Sequence, residues 1–87
     1  MYTVKYSSSA KKDIEKLSVE VGKRIKNAIE EMTDDPYSHV KKLKTSSNSP
    51  IYSLRVGEYR VIMAIENSQL IILVLEIGNR SKIYRKF

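Results

Sequence analysis

The chain has 87 residues, a formal net charge of +6 and no cysteine, so it is one small domain without disulfides, thiolate metal sites or a thiol nucleophile. A chain of this length buries roughly 60–65% of the surface its unfolded form exposes, which keeps the core modest. One histidine and scattered carboxylates make no metal-ligand set at recognisable spacing, no apolar run nears the length of a membrane span, and MYTVKY lacks the order of a signal peptide. These features predict a soluble, cytoplasmic protein with no membrane segment and no cofactor.

Met1–Tyr6 alternates and is rich in β-formers, predicting a first strand with Tyr2, Val4 and Tyr6 on one face. Ser7, Ser8 and Ser9 end that strand and offer helix N-caps, after which Ala10, Ile14 and Leu17 recur at helical spacing over 8–17. Ser18 is placed to cap a second helix, about 19–33, whose apolar stripe is Val21, Ile25, Ala28, Ile29 and Met32. Together they predict an αα-hairpin, stopped by Asp34-Asp35-Pro36.

A polar segment runs on to Pro50 and reads as a mobile loop, with Lys41, Lys42, Lys44 and the run Thr45–Ser49. His39 in this loop is either a candidate general base or a plain exposed side chain. Strands are predicted at 51–56 and 59–66, then at Gln69–Gly78, where the unbroken apolar run Leu70–Leu75 suits a central strand covered on both faces. A basic tail, NRSKIYRKF, closes the chain. The expected fold is α+β: one domain over 1–87, in the order β-α-α-β-β-β, with a mostly antiparallel sheet of about four strands packed on an N-terminal αα-hairpin.

Charge is unevenly placed. Residues 1–36 hold seven basic and seven acidic groups, so residues 37–87, with nine basic groups and three acids, carry the whole +6. Such a distribution makes a face attractive to polyanions, although a positive balance also serves solubility alone.

The stretch YSLRVGEYR predicts a hairpin whose two-residue turn is Gly57-Glu58, with Gly first as a type II′ turn requires. Val56 then faces Tyr59 and Arg55 faces Arg60. Tyr52, Leu54, Val56, Tyr59, Val61 and Met63 share the face toward the helices, while Ser53, Arg55, Arg60, Ile62 and Ala64 take the other. A like-charge cross-strand pair is unfavourable, so an anion is expected over it. Surface salt bridges are the plainer account, with Glu58 and Glu66 the acids near in sequence.

Cations and tyrosines without metal ligands suit RNA cleavage by its own 2′-hydroxyl, which attacks the adjacent phosphate, expels the 5′-oxygen and leaves a 2′,3′-cyclic phosphate. That reaction needs a base, a clamp for phosphoryl charge and an acid for the leaving group. Bidentate arginines suit the clamp, and cations lower the pKa of a neighbouring Tyr or Lys.

The helical pair ending near DDPYSHVKKLK, the hairpin YSLRVGEYRVIMAIE and the strand end VLEIGNRSKIY together resemble, over the whole chain, the RelE/ParE toxin superfamily and specifically its RelE-like ribosome-dependent mRNA interferases. The resemblance implies the toxin of a type II toxin–antitoxin pair that enters the ribosomal A site and cuts the messenger. It implies that Arg60 is the phosphate-binding arginine of the third strand and that Arg80 is the second catalytic arginine. Arg55 takes the place of a strand-two cation, and Tyr84 resembles the tyrosine that stacks on the substrate base. Lys41, Lys42 and Lys44 match a basic loop that touches ribosomal RNA, and Lys82 and Arg85 extend that surface along the tail.

The implied partners are the ribosome with its mRNA and a RelB-like, acidic antitoxin in a hetero-oligomer. The chain departs from the pattern at Ser53, where some members carry a second lysine, and in having only three residues after Tyr84. Plainer roles stand beside these: Tyr84 packing with Phe87, Arg80 capping a turn, and the lysines forming a solvated loop. Two other functions fit the same residues. One is a ParE-like toxin that binds DNA gyrase without catalysis, and the other is a non-catalytic RNA-binding domain using the basic sheet face.

Overall fold

The computed structural model describes residues 1–43 and 50–83, leaving out the side chains of Lys82 and Ile83. Its elements are β1 (Thr3–Tyr6), α1 (Ser8–Glu15), α2 (Val19–Glu31), a 3₁₀ turn (Pro36–Ser38), β2 (Lys41–Leu43), β3 (Ile51–Val56), β4 (Tyr59–Glu66), β5 (Ile71–Asn79) and the short helix α3 (Arg80–Ile83). The strands form one five-stranded sheet in the order β1-β5-β4-β3-β2, with β1 parallel to β5 and the other pairs antiparallel. The order β-α-α-β-β-β predicted from the sequence is present with one strand added.

Helices α1 and α2 each start where a serine can cap them. Ser7 Oγ accepts the Ala10 amide at 3.0 Å and Ser18 Oγ accepts the Val21 amide at 3.2 Å. Ser7 also donates its hydroxyl to the Leu75 carbonyl at 2.8 Å, so the same side chain starts α1 and ties it to β5. The helices lay Ala10, Ile25, Ile29 and Met32 against Leu54, Val56, Val61, Met63, Ile72, Val74 and Ile77, which together form the core. Both helices end two residues sooner than the apolar spacing predicts. After α2, Pro36 is buried at the first position of the 3₁₀ turn, where its missing N–H costs nothing.

The hairpin has the predicted bounds and register. Gly57 has φ +61° and Glu58 does not enter the left-handed region, which makes the turn type II′. Arg55 pairs with Arg60 and Val56 with Tyr59. Leu54, Val56, Val61 and Met63 join the core as expected. On the opposite face Ser53 and Ile62 are buried as well, so the middle of that face is closed, while Arg55 and, on the edge strand, Lys41 are exposed.

Three features differ from expectation. The segment after Pro36 is not all loop, because Lys41–Leu43 pairs with Ile51–Ser53 as an edge strand. Leu70 lies in the turn before β5, with φ +53° and its carbonyl accepting the Thr3 amide at 2.7 Å, so the strand begins one residue after it. Strand β5 is interior but lies beside the central β4, and it carries a bulge: Met63 faces Val74 and Ile62 faces Glu76, leaving Leu75 as an extra residue. The bulge turns Ile77 into the core and Glu76 toward the arginine face. Past the end of β1, the Ile77 amide finds its acceptor in Asp13 Oδ2 on α1, at 2.9 Å.

Two substitutions check this account by thermal unfolding. Ser7→Ala loses a cap and a tertiary hydrogen bond and is expected to destabilise by about 1–2 kcal/mol. A Cβ at Gly57 would meet nothing within 4 Å. Gly57→Ala therefore carries only the left-handed backbone cost, about 1–2 kcal/mol, and a larger loss would mean that the turn is not as described.

Candidate functional site

The site lies on the sheet face turned away from the helices, at the end where the β3–β4 turn meets the end of β5. There a cleft of about 810 Å³ is lined by Lys41, Arg55, Arg60 and Arg80, with Glu58 at the turn. Four elements supply these cations. Arg55 and Arg60 come from paired positions of β3 and β4 and therefore project side by side. Arg80 opens α3, and its amide donates to the Glu58 carbonyl at 2.9 Å, pinning the end of β5 to the hairpin turn. Asn79 Oδ1 accepts the amide and the hydroxyl of Ser81 at 3.0 and 2.9 Å, which holds the first turn of α3.

Arg55, Arg80 and Lys41 are exposed, whereas Arg60 is half-buried with its Nε shut away from solvent. Opposite Arg60 on β5 stands Gly78, which adds no side chain there. Arg55 Nε makes a long contact of 3.4 Å with the Gly57 carbonyl. Arg60 is thus the fixed member of the pair and Arg55 the more solvated one.

The acids are distributed differently from what chain proximity suggests. Glu66 takes no part in the cleft: its carboxylate accepts the hydroxyl and the amide of Ser68 at 2.6 and 3.1 Å, and these bonds hold its pKa below the ordinary value. Glu76, absent from the sequence-derived set, is half-buried on the arginine face, diagonal to Arg60. Strict alternation from Ile72 and Val74 would have put it on the helix side, so only the bulge reveals it.

The basic segment also divides. Lys41 is directly opposite Ser53 and shares the arginine face, while Lys42 is opposite Tyr52 and so belongs to the other face. Lys44, Tyr84 and Arg85 lie outside the described residues, and of Lys82 only the backbone position in α3 is described. His39 is exposed just before β2 and does not line the cleft. Among the described residues, no three His, Cys, Asp or Glu side chains gather as a metal site, and no helix is long and apolar enough to cross a membrane.

The cleft can hold a phosphodiester. Arginine forks pair with non-bridging oxygens in a bidentate manner, and cations set at fixed positions stabilise charge developing on phosphorus substituents without reorganising.

Known proteins with the same architecture give this geometry a context. Residues 4–84 match the family described as the ParE toxin of the type II toxin–antitoxin system parDE. Toxin RelG of Mycobacterium tuberculosis is 26% identical over 86 residues, covering 98% of each chain. Among solved structures, the toxin–antitoxin complex RelBE2 of M. tuberculosis superposes with TM-score 0.81 at 24% identity, over 91% of this chain and 98% of that one. The archaeal RelE–RelB complex of Pyrococcus horikoshii gives 0.78 at 24% identity, over 93% and 97%. The isolated Escherichia coli RelE toxin gives 0.74 at 21% identity, over 99% and 94%. With the family match spanning nearly all of its length and the fold shared with RelE toxins, the chain belongs to the RelE/ParE superfamily of type II toxin–antitoxin toxins.

Proposed function

We propose that this toxin is a RelE-like endoribonuclease that cleaves mRNA in the ribosomal A site. The observation that carries this reading is the meeting of Arg55, Arg60, Arg80 and Lys41 on one cleft, against the single lining carboxylate of Glu58 among the described residues. A toxin acting by binding alone would not require several cations converging on one small concavity, whereas phosphoryl transfer does. In the reaction, the 2′-oxygen of the A-site nucleotide attacks the adjacent phosphorus and the 5′-oxygen departs, leaving a 2′,3′-cyclic phosphate. Arg60, fixed by its half-buried stem, and Arg80, pinned through its amide, clamp the non-bridging oxygens as charge builds on them. Arg55, solvated and mobile by comparison, adds positive potential and guides the backbone into place.

The same charge explains control by a partner. RelE-type relatives have been solved bound to RelB antitoxins. An acidic antitoxin of that kind, laid over this basic face, would neutralise the charge that RNA otherwise meets. Action on ribosomes puts the protein in the cytoplasm. The second reading rests on the match to ParE toxins and makes the chain a gyrase poison with the same fold.

Primer extension on an mRNA in programmed ribosomes, with the same mRNA free in solution as control, tests the first reading. Cleavage within the A-site codon is expected only with ribosomes. Arg60→Ala and Arg80→Ala are each expected to lose about 2–4 kcal/mol of transition-state stabilisation while melting like the parent protein. An intact message together with inhibited gyrase supercoiling would transfer the assignment to the ParE-like reading. Full cleavage by the folded double variant would remove the arginines from the mechanism.

A further inference from the structure

The clamp described above has no assigned proton donor. When the 5′-oxygen leaves phosphorus it must gain a proton, and the described side chains around the cleft differ sharply in their ability to give one. Arginine stays protonated throughout the working range and so cannot serve. The Ser81 hydroxyl is already engaged with Asn79. Lysine is the remaining cation, and unlike arginine it both carries charge and releases a proton.

Lys41 is placed for this by features not visible along the chain. The edge strand β2 puts it directly across from Ser53, on the face that carries Arg55 and Arg60, and it lines the same cleft as the three arginines. Ser53 is small and only 2% exposed, so at this position β3 contributes no long side chain that would compete for the space. The Lys41 side chain is exposed on a flexible stem, and its compact ammonium can follow a leaving oxygen while the arginine forks hold the non-bridging ones.

We propose that Lys41 is the general acid of the cleavage, delivering its proton to the departing 5′-oxygen. This role rests on the ribonuclease reading. In the step, the bond from the 2′-oxygen to phosphorus forms and the bond from phosphorus to the 5′-oxygen breaks. The 2′-hydroxyl proton passes to water, the Lys41 proton ends on the 5′-oxygen, and the neutral amine is reprotonated from solvent. No net proton is consumed, and the products are a 2′,3′-cyclic phosphate and a 5′-hydroxyl.

The test compares two mRNAs on programmed ribosomes under single-turnover conditions: the natural message, and one with sulfur replacing the bridging 5′-oxygen in the A-site codon. A thiolate leaves without needing a proton. Lys41→Arg keeps the charge but cannot donate, so it is expected to slow cleavage of the natural message by about 10²–10⁴-fold. On the sulfur-bridged message the same variant should come within about threefold of the parent protein, while Arg60→Ala remains slow on both.

Cleavage of the natural message by Lys41→Arg at the parental rate would overturn the proposal, leaving Lys41 as a simple cation. Equal losses on the two messages would also overturn it, since a lost phosphate contact or a misfolded variant affects both. If the parent protein cuts neither message, the ribonuclease reading itself fails. If the parent cuts and Arg60→Ala does not, that reading stands whatever Lys41 does.

Discussion

The pairing of β4 with β5 through the bulge at Leu75 is the constraint on which the two sides of this molecule depend. Upstream of it Ile72 and Val74 enter the core, and downstream Ile77 does the same, so the core face continues over a break in strict alternation. Without the extra residue, Glu76 would turn toward the helices and Ile77 toward the arginines. Burying a carboxylate among aliphatic side chains costs several kcal/mol, whereas a bulge costs one locally unpaired residue. Asp13 and Ser7 then supply from α1 the partners that β1 is too short to provide, accepting from the Ile77 amide and donating to the Leu75 carbonyl. The helical layer therefore does more than seal the core. It holds the half of β5 that leads to Arg80.

With one face of the sheet closed by helices, the charged side chains of the hairpin have only the other face available. The hairpin register makes Arg55 and Arg60 neighbours, the Glu58 carbonyl brings Arg80 to them, and β2 adds Lys41 from the edge. Like charges gathered in this way oppose folding slightly, and the apolar core on the reverse face offsets that cost. An anion entering the cleft would relieve the repulsion, and in the proposed reading that anion is a phosphodiester. An acidic antitoxin segment would exploit the same imbalance. Substrate and inhibitor in this reading compete for one potential rather than for one shape.

The legible parts of the chain were those with local physical causes. Gly57 beside Glu58, flanked by alternating residues, was enough for the hairpin, its turn type and the Arg55–Arg60 pair, because a two-residue turn allows one register. Serines before apolar helical spacing were enough for α1 and α2. Strand β2 was not legible. Three residues within a polar segment carry no period, and Lys41–Leu43 is a strand only because Ile51–Ser53 offers it a sheet edge. Leu70 misled for the opposite reason: it continues an apolar run, yet its backbone is left-handed in the preceding turn.

The membership of the cleft divides along the same line. The two hairpin arginines, the helical stripe that buries the far face, and the concentration of positive charge after residue 36 were determined by the sequence alone, since each follows from spacing, turn chemistry or a count of charges. Only the tertiary structure decided that Lys41 and Lys42 face opposite ways, that Glu76 lies on the arginine face and that Glu66 does not belong to the cleft. Those outcomes depend on which strand edge is free, where a ladder takes an extra residue, and which partner reaches a carboxylate first. The strand edge and the bulge are contacts between segments distant along the chain that no local pattern encodes, whereas Glu66 is held close by, by Ser68 two residues on.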